Sequence, residues 1–291
     1  MQFDRQPSTP WLRMLLKRKN LSSGLEIPLL VAEWTSIAGA HLHSRLAAYR
    51  AICGFDESDI PLPYPMVFAS ALQANVLCDR RFPLPVLGLV HVAQRMTWTC
   101  EPARRFELFN SSSTASARLN VSVEGHRQVK RGVEFTLVTE LHCEAERIWR
   151  AETDILSMAV PGHGRDEEKA KPQTCSASLT QRWDLEPGLG RSYAKIAGDF
   201  NPIHMYAWSA RLFGFRQAII HGMWSLAHAL AQMPLPVREV NARFVRPVFI
   251  PSSPKFELAV LSKEHSSEHQ LMLWQDREDE AKLAMWAIAL E

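Results

Sequence analysis

Several common signatures are missing from this sequence, and each absence narrows what the chain can be. No G-x-G-x-x-G turn and no metal-ligand spacing appears, so neither a nicotinamide cofactor nor a metal is implied. The five cysteines (53, 78, 100, 143 and 175) include no C-x-x-C pair and are odd in number, which argues against a zinc site or a disulfide framework. Charge of one sign is also lacking: 33 basic and 31 acidic residues leave a net +2, giving no reason to expect nucleic acid or a charged membrane surface as a partner. No long apolar run occurs. The patch Trp11 to Leu16 is short and broken by Arg13, so neither a signal peptide nor a membrane span is indicated, and a cytoplasmic protein is expected.

What is present is a large apolar fraction, 46% of 291 residues, enough for a substantial core and for two domains. The region around residues 161–175 is the clearest linker. It holds Gly162, Gly164, a charge cluster from Arg165 to Lys171, and then Pro172. The expected organisation is therefore an N-terminal domain 1–160, a linker 161–175 and a C-terminal domain 176–291. In the first half, helices are expected over 38–53 (stopped by Gly54) and 66–78. Strands are expected at 86–92, 95–100, 106–109, 115–123, 133–143 and 148–159, and residues 25–34 read as strand or arm. In the second half, the pattern predicts a strand at 177–183, helices at 193–197, 207–213 and 221–232, and strands at 237–249, 255–262, 270–274 and 282–290. Ala284, Ala287 and Ala289 give the last of these a conflicting helix propensity.

The chemistry concentrates between Tyr193 and Leu230. Gly198, Asn201 and Pro202 are turn formers, so Asp199 to Pro202 reads as a loop that lets the Asp199 carboxylate and the His204 imidazole converge on one water. Gly222 opens an apolar helix. The unpaired N–H groups at such a start can hold a developing oxyanion, and a glycine lets a carbonyl approach closely. An acid/base pair with an oxyanion site is the equipment for adding water to, or removing it from, a carbonyl-conjugated double bond.

This segment resembles the signature of the MaoC-like, R-specific enoyl-CoA hydratases (hydratase 2). The matching residues are Tyr193, Ala194, Gly198, Asp199, Asn201, Pro202, Ile203, His204, Ala210, Gly214, Phe215, Ile220, His221, Gly222 and Met223. Residues 242–249 (ARFVRPVF) resemble that family's strand after its long helix. The resemblance implies an α+β double hot-dog fold, two long helices each wrapped by an antiparallel sheet. It implies a hydro-lyase acting as (R)-specific 2-enoyl-thioester hydratase or 3-hydroxyacyl-thioester dehydratase. Asp199 and His204 would be catalytic, Gly222 would be the oxyanion donor, and Asn201, His221 and Ser225 would support them. CoA or the phosphopantetheine of an acyl carrier protein would arrive with the substrate, with no resident cofactor, and the chain would be a monomer or homodimer. Arg243 and Arg246, read as strand residues on opposite faces, are candidate contacts for a CoA phosphate.

The halves also echo each other. Ile37-Ala38-Gly39 matches Ile196-Ala197-Gly198, and Gly54-Phe55 matches Gly214-Phe215. In this register Ala40 stands opposite Asp199, and Ser44 or Arg45 opposite His204. The first half then reads as a degenerate copy whose helix from Met66 to Val76 would wall an acyl chain. Two alternatives stand beside the hydratase: a non-catalytic acyl-thioester binding protein, and a hot-dog thioesterase. The second is disfavoured because Met223 to Gln232 contains no Asp or Glu.

Overall fold

The structure is a computed structural model of the 291-residue chain; it describes all residues except 21–24, 58–59, 111, 114, 164–170, 263–266 and 278–279. In chain order the first elements are β1 (Gln2–Phe3), α1 (Trp11–Leu16), β2 (Leu30–Ala38), α2 (Gly39–His43), α3 (Leu46–Cys53), α4 (Met66–Leu77), β3 (Leu89–Trp98), α5 (Pro102–Leu108), β4 (Ser116–Val129), β5 (Gly132–Cys143) and β6 (Glu146–Ser157). After them come β7 (Leu179–Arg182), α6 (Leu189–Ala197), a 3-10 turn (Pro202–His204), α7 (Ala207–Arg211), α8 (Gly222–Leu230), β8 (Glu239–Phe244), β9 (Lys255–Ser262), β10 (Glu268–Arg277) and β11 (Glu280–Leu290). The chain divides into two compact units: Met1–Ser44 with Pro65–Lys169, and Arg45–Tyr64 with Ala170–Glu291. Residues 45–64, read from the sequence as part of the first domain, thus pack with the second. The expected linker 161–175 lies partly outside the described residues.

In the first unit the strands run β1-β2-β4-β5-β6-β3, antiparallel except for the parallel pair β1/β2. The sheet wraps α4, whose sequence MVFASALQANVL is rich in good helix formers and apolar on all sides, as a helix buried all round requires. Val67, Phe68, Leu72 and Val76 are buried. The outer face of the sheet is charged and cross-paired. Arg95 reaches Glu152 (2.8 Å) and Asp154 (3.0 Å), and Arg150 reaches Glu140 (2.6 Å) and Glu152 (3.0 Å).

In the second unit the order is β8-β11-β10-β9-β7, all antiparallel. Its central helix is α8 (GMWSLAHAL), which buries Trp224, Leu226, Ala227, Ala229 and Leu230. Fully burying one such leucine contributes about 1.5–3 kcal/mol.

Three expectations change. The single helix over 38–53 is two helices, broken at Ser44–Arg45, although Gly54 does end the second in a left-handed conformation. The strands expected at 86–92 and 95–100 are one strand, β3. Residues 106–109 belong to helix α5, not to a strand: Pro102 at its first position presets the helical φ. The alanine-rich end is a strand as expected, β11, because hydrogen bonding to β10 on one side and β8 on the other outweighs its helix propensity.

Candidate active site

The site is assembled from three short pieces of the second unit. Helix α6 ends at Gly198, which takes the left-handed conformation (φ 75°) that only glycine adopts without strain, and this turns the chain into the loop. The loop is held by its own side chains. Asp199 Oδ1 accepts from the Asn201 N–H (3.1 Å), and Asn201 Oδ1 accepts from the Ile203 N–H (3.4 Å). Asn201 therefore caps the 3-10 turn that carries His204. The buried Ser209 hydroxyl donates to Pro202 O (2.6 Å). Gly190 is required by packing, since a Cβ there would lie 2.4 Å from the His204 carbonyl oxygen.

His204 is buried, and its tautomer is dictated by the backbone. Nδ1 lies 2.9 Å from the Ile219 carbonyl, so Nδ1 carries the hydrogen and Nε2 the lone pair. The Ile219 N–H in turn donates to Ile203 O (3.1 Å), which locks residue 219 to the loop. Burial holds His204 below the usual imidazole range, opposed by the nearby Asp199 carboxylate. His221 stacks on it, ring centroids 3.8 Å apart at 27°, and donates from Nε2 to the Asp199 carbonyl (2.9 Å). Burial first, and the neighbouring His204 second, push His221 far down, so both rings are neutral near pH 7.

Asp199, His204 and His221 each bring one ring nitrogen or carboxylate oxygen within 4.8 Å of the others. These are the residues here that could hold a metal. However, the His221 nitrogen facing Asp199 is already spent as a donor to the Asp199 carbonyl. The set therefore fits proton transfer better than ligation. The Asp199 side chain stays 47% exposed, so a carboxylate remains open toward a substrate while its imidazole partners are dry.

Gly222 is the first residue of α8, directly after His221, and the first N–H groups of a helix have no partner within it. The Phe244 ring lies 3.0 Å from where a Gly222 Cβ would stand, so any side chain would press on Phe244. Ser225 is buried one turn into the helix. The two arginines are less well placed than expected. Arg243 lies on β8, but Arg246 lies beyond its end, exposed, with Nη1 bonded to Leu283 O (2.8 Å). Their expected placement on opposite faces of one strand does not hold, because β8 stops at Phe244.

Sequence reasoning missed the support from α3. Arg45 Nη1 donates to Ile196 O (3.2 Å) at the end of α6. Trp224 Nε1 donates to Ile52 O (2.9 Å), and His228 Nδ1 donates to Cys53 O (2.8 Å). Carbonyls at the end of α3, which no further helical turn satisfies, are thus bonded by side chains of α8. One short helix ties together the helix leading into Asp199 and the helix beginning at Gly222. No local sequence signal marks this, since the acceptors are backbone atoms.

Among the described residues, no helix is long and apolar enough to cross a membrane. The chain is similar to several known proteins. Residues 159–281 match the MaoC like domain family. The chain is 28% identical over 218 residues to 3-hydroxyacyl-thioester dehydratase X of Mycobacterium tuberculosis, covering 72% of this chain and 74% of that protein. Among solved structures, HtdX of Mycobacterium tuberculosis aligns with TM-score 0.65 at 24% identity, over 90% of this chain and 99% of that one. A MaoC-like dehydratase from Phytophthora capsici aligns with TM-score 0.63 at 15% identity, over 94% and 98%. The Asp199–His204 loop and the Gly222 helix start both lie inside the matched span. Residues 159–281 are thus similar to the MaoC like domain family, and the chain has the hot-dog fold seen in the MaoC-like dehydratases.

Proposed function

We propose that the chain is a hydro-lyase, an (R)-specific 2-enoyl-thioester hydratase working equally as a 3-hydroxyacyl-thioester dehydratase. The observation that carries this reading is the convergence of the Asp199 carboxylate and the neutral His204 imidazole within 4.8 Å, in the same unit as the open helix start at Gly222.

In the hydration direction, one water donates one hydrogen to the Asp199 carboxylate and the other to His204 Nε2. Asp199 takes the first proton as the oxygen bonds to Cβ. Charge collects on the thioester oxygen, where the Gly222 N–H holds it. His204 is not the donor to Cα. With Nδ1–H committed to Ile219 O and the ring kept neutral by burial, Nε2 has no proton to give. In the proposed mechanism His204 positions the water, and the proton reaching Cα is the one Asp199 removed. Dehydration retraces the same path.

His221 fixes the Asp199 backbone, and Asn201 caps the loop. The first unit has no Asp/His pair in the matching register and serves the acyl chain. CoA and an acyl carrier protein both remain substrates of this reading, with no resident cofactor. Thioester hydrolysis is disfavoured because α8 offers no carboxylate.

The test is to follow loss of enoyl-thioester absorbance with crotonyl-CoA and a longer 2-enoyl-CoA, for wild type and Asp199→Asn, with a thiol reagent present. Hydration by wild type that collapses in the variant is the expected result. Steady release of free thiol without hydration would overturn it in favour of a thioesterase.

A further inference from the structure

The surface beside the catalytic loop is unusual in both charge and exposure. From Pro187 to Ile220 the sequence holds four cations (Arg191, Lys195, Arg211 and Arg216), and its one carboxylate is the catalytic Asp199. Among the described residues, none of these four cations forms an ion pair with a carboxylate. The same stretch exposes large apolar side chains: Trp208 is 64% exposed and Leu212 76%. Trp208 and Leu212 are four residues apart on α7 and its C-cap, so they share one side of it. The Tyr206 ring stacks on Trp208 (6.1 Å between centroids, 15°), and the Arg191 guanidinium sits 4.7 Å over Tyr206. Arg211 and Arg216 are neighbours, Arg211 Nε donating to Arg216 O (3.4 Å). The result is an apolar ridge, Tyr206–Trp208–Leu212, edged by cations.

We propose that this face docks an acidic carrier protein, which presents the acyl thioester on its phosphopantetheine arm. The proposal rests on the hydratase reading above and names the partner of that site. Charge complementarity selects an anionic partner, because unpaired cations steer such a partner by long-range attraction. The apolar ridge selects a protein over a free nucleotide. An apolar centre rich in Trp and Tyr with an Arg rim is the composition of a protein interface. Phosphates would need guanidinium groups converging on one point, whereas these cations are spread over α6, α7 and the segment after it. Phosphates also give Leu212 nothing to cover it.

The experiment compares crotonyl-loaded acyl carrier protein with crotonyl-CoA, using wild type, Arg211→Glu/Arg216→Glu and Leu212→Ser, each first shown to keep the wild-type melting temperature. Binding is read separately by titrating wild type and both variants into 15N-labelled, unloaded holo-carrier protein at low and high salt. None of the altered residues touches the reacting groups. The expected result is that kcat/KM for the carrier substrate falls roughly tenfold or more in the charge-reversed variant, while the value for crotonyl-CoA stays within about threefold. Leu212→Ser should fall in the same direction, and binding to the holo-carrier should weaken with salt and in both variants. Equal losses on both substrates would overturn the proposal and assign the cations to the nucleotide of CoA. Absence of holo-carrier binding by wild type, or variants that bind it as wild type does, would also overturn it. If wild type binds the carrier, loses binding in the variants and yet hydrates neither substrate, the docking surface stands and the hydratase reading fails.

Discussion

The two units are built on one plan and spend their charges differently. Each is a buried helix wrapped by an antiparallel sheet, α4 in one and α8 in the other. In the first unit, arginines of the sheet are neutralised by carboxylates of the same sheet: Arg95 by Glu152 and Asp154, Arg127 by Glu134, and Arg150 by Glu140 across the strands and by Glu152 on its own strand. In the second, the cations near the loop have no carboxylate partner among the described residues, and the single loop carboxylate, Asp199, is placed against two dry imidazoles. Where the first half of the sequence has Ala40 and Ser44 or Arg45 in the matching register, the second half has Asp199 and His204. A charge that only stabilises is best paired. A charge that must meet a substrate has to be left incompletely satisfied and held by the backbone around it.

This contrast can be broken at several points. The largest effect is expected from Asp199→Asn, which keeps the loop's size but removes the proposed proton acceptor: activity should drop by about 10²–10⁴-fold, with little change in melting temperature. Substitution of Ala40 by Ser in the first unit should leave kcat unchanged. Equal losses at the two positions would show that the first unit is not catalytically silent.

Next comes Arg95→Met in the first unit. It leaves Glu152 and Asp154 facing each other without their shared cation and should cost about 1–3 kcal/mol of stability by chemical denaturation, with kcat per folded molecule unchanged.

A third prediction concerns pH. His204 and His221 both have folded-state values lowered by burial, so the unfolded chain binds more protons than the folded one once pH falls below the ordinary imidazole value of about 6.5. Their contribution is therefore full above that value, and stability is lost as pH falls through the window below it. His204→Gln and His221→Gln should each flatten this acid limb of the melting curve. In wild type the need for neutral His204 sets an acid limb of activity below about pH 6.5, not at it. A limb at or above that value would contradict the buried neutral ring.

The smallest effect is expected from Arg45→Met. Losing one hydrogen bond at the end of α6 should cost about 1 kcal/mol and loosen the Asp199 loop. Hydrogen exchange of the amides at 196–204 should quicken, while those of β9 and β10 do not change. A uniform change across the unit would deny α3 any special hold on the site.

Much of the site was legible because it is local. Asp199, Asn201, Pro202 and His204 lie within six residues, so turn chemistry alone brings them together. Gly222 was legible as a glycine opening an apolar run. What escaped was everything that depends on a distant backbone atom. The carbonyl of Ile219 sets the tautomer of His204, and any residue type could supply a carbonyl. The extent of β8, which leaves Arg246 beyond the strand, depends on its pairing with β11.

The sequence by itself determined the helix-and-sheet plan of both halves, the loop that brings Asp199 and His204 together and the half in which it lies. These follow from apolar periodicity, turn residues and a compact motif. Only the tertiary structure decided that residues 45–64 join the second unit, that α3 ties α6 to α8, and that His204 presents a bare Nε2. Those outcomes turn on long-range packing and on backbone carbonyls seeking donors, and neither leaves a periodic or local trace in the order of the side chains.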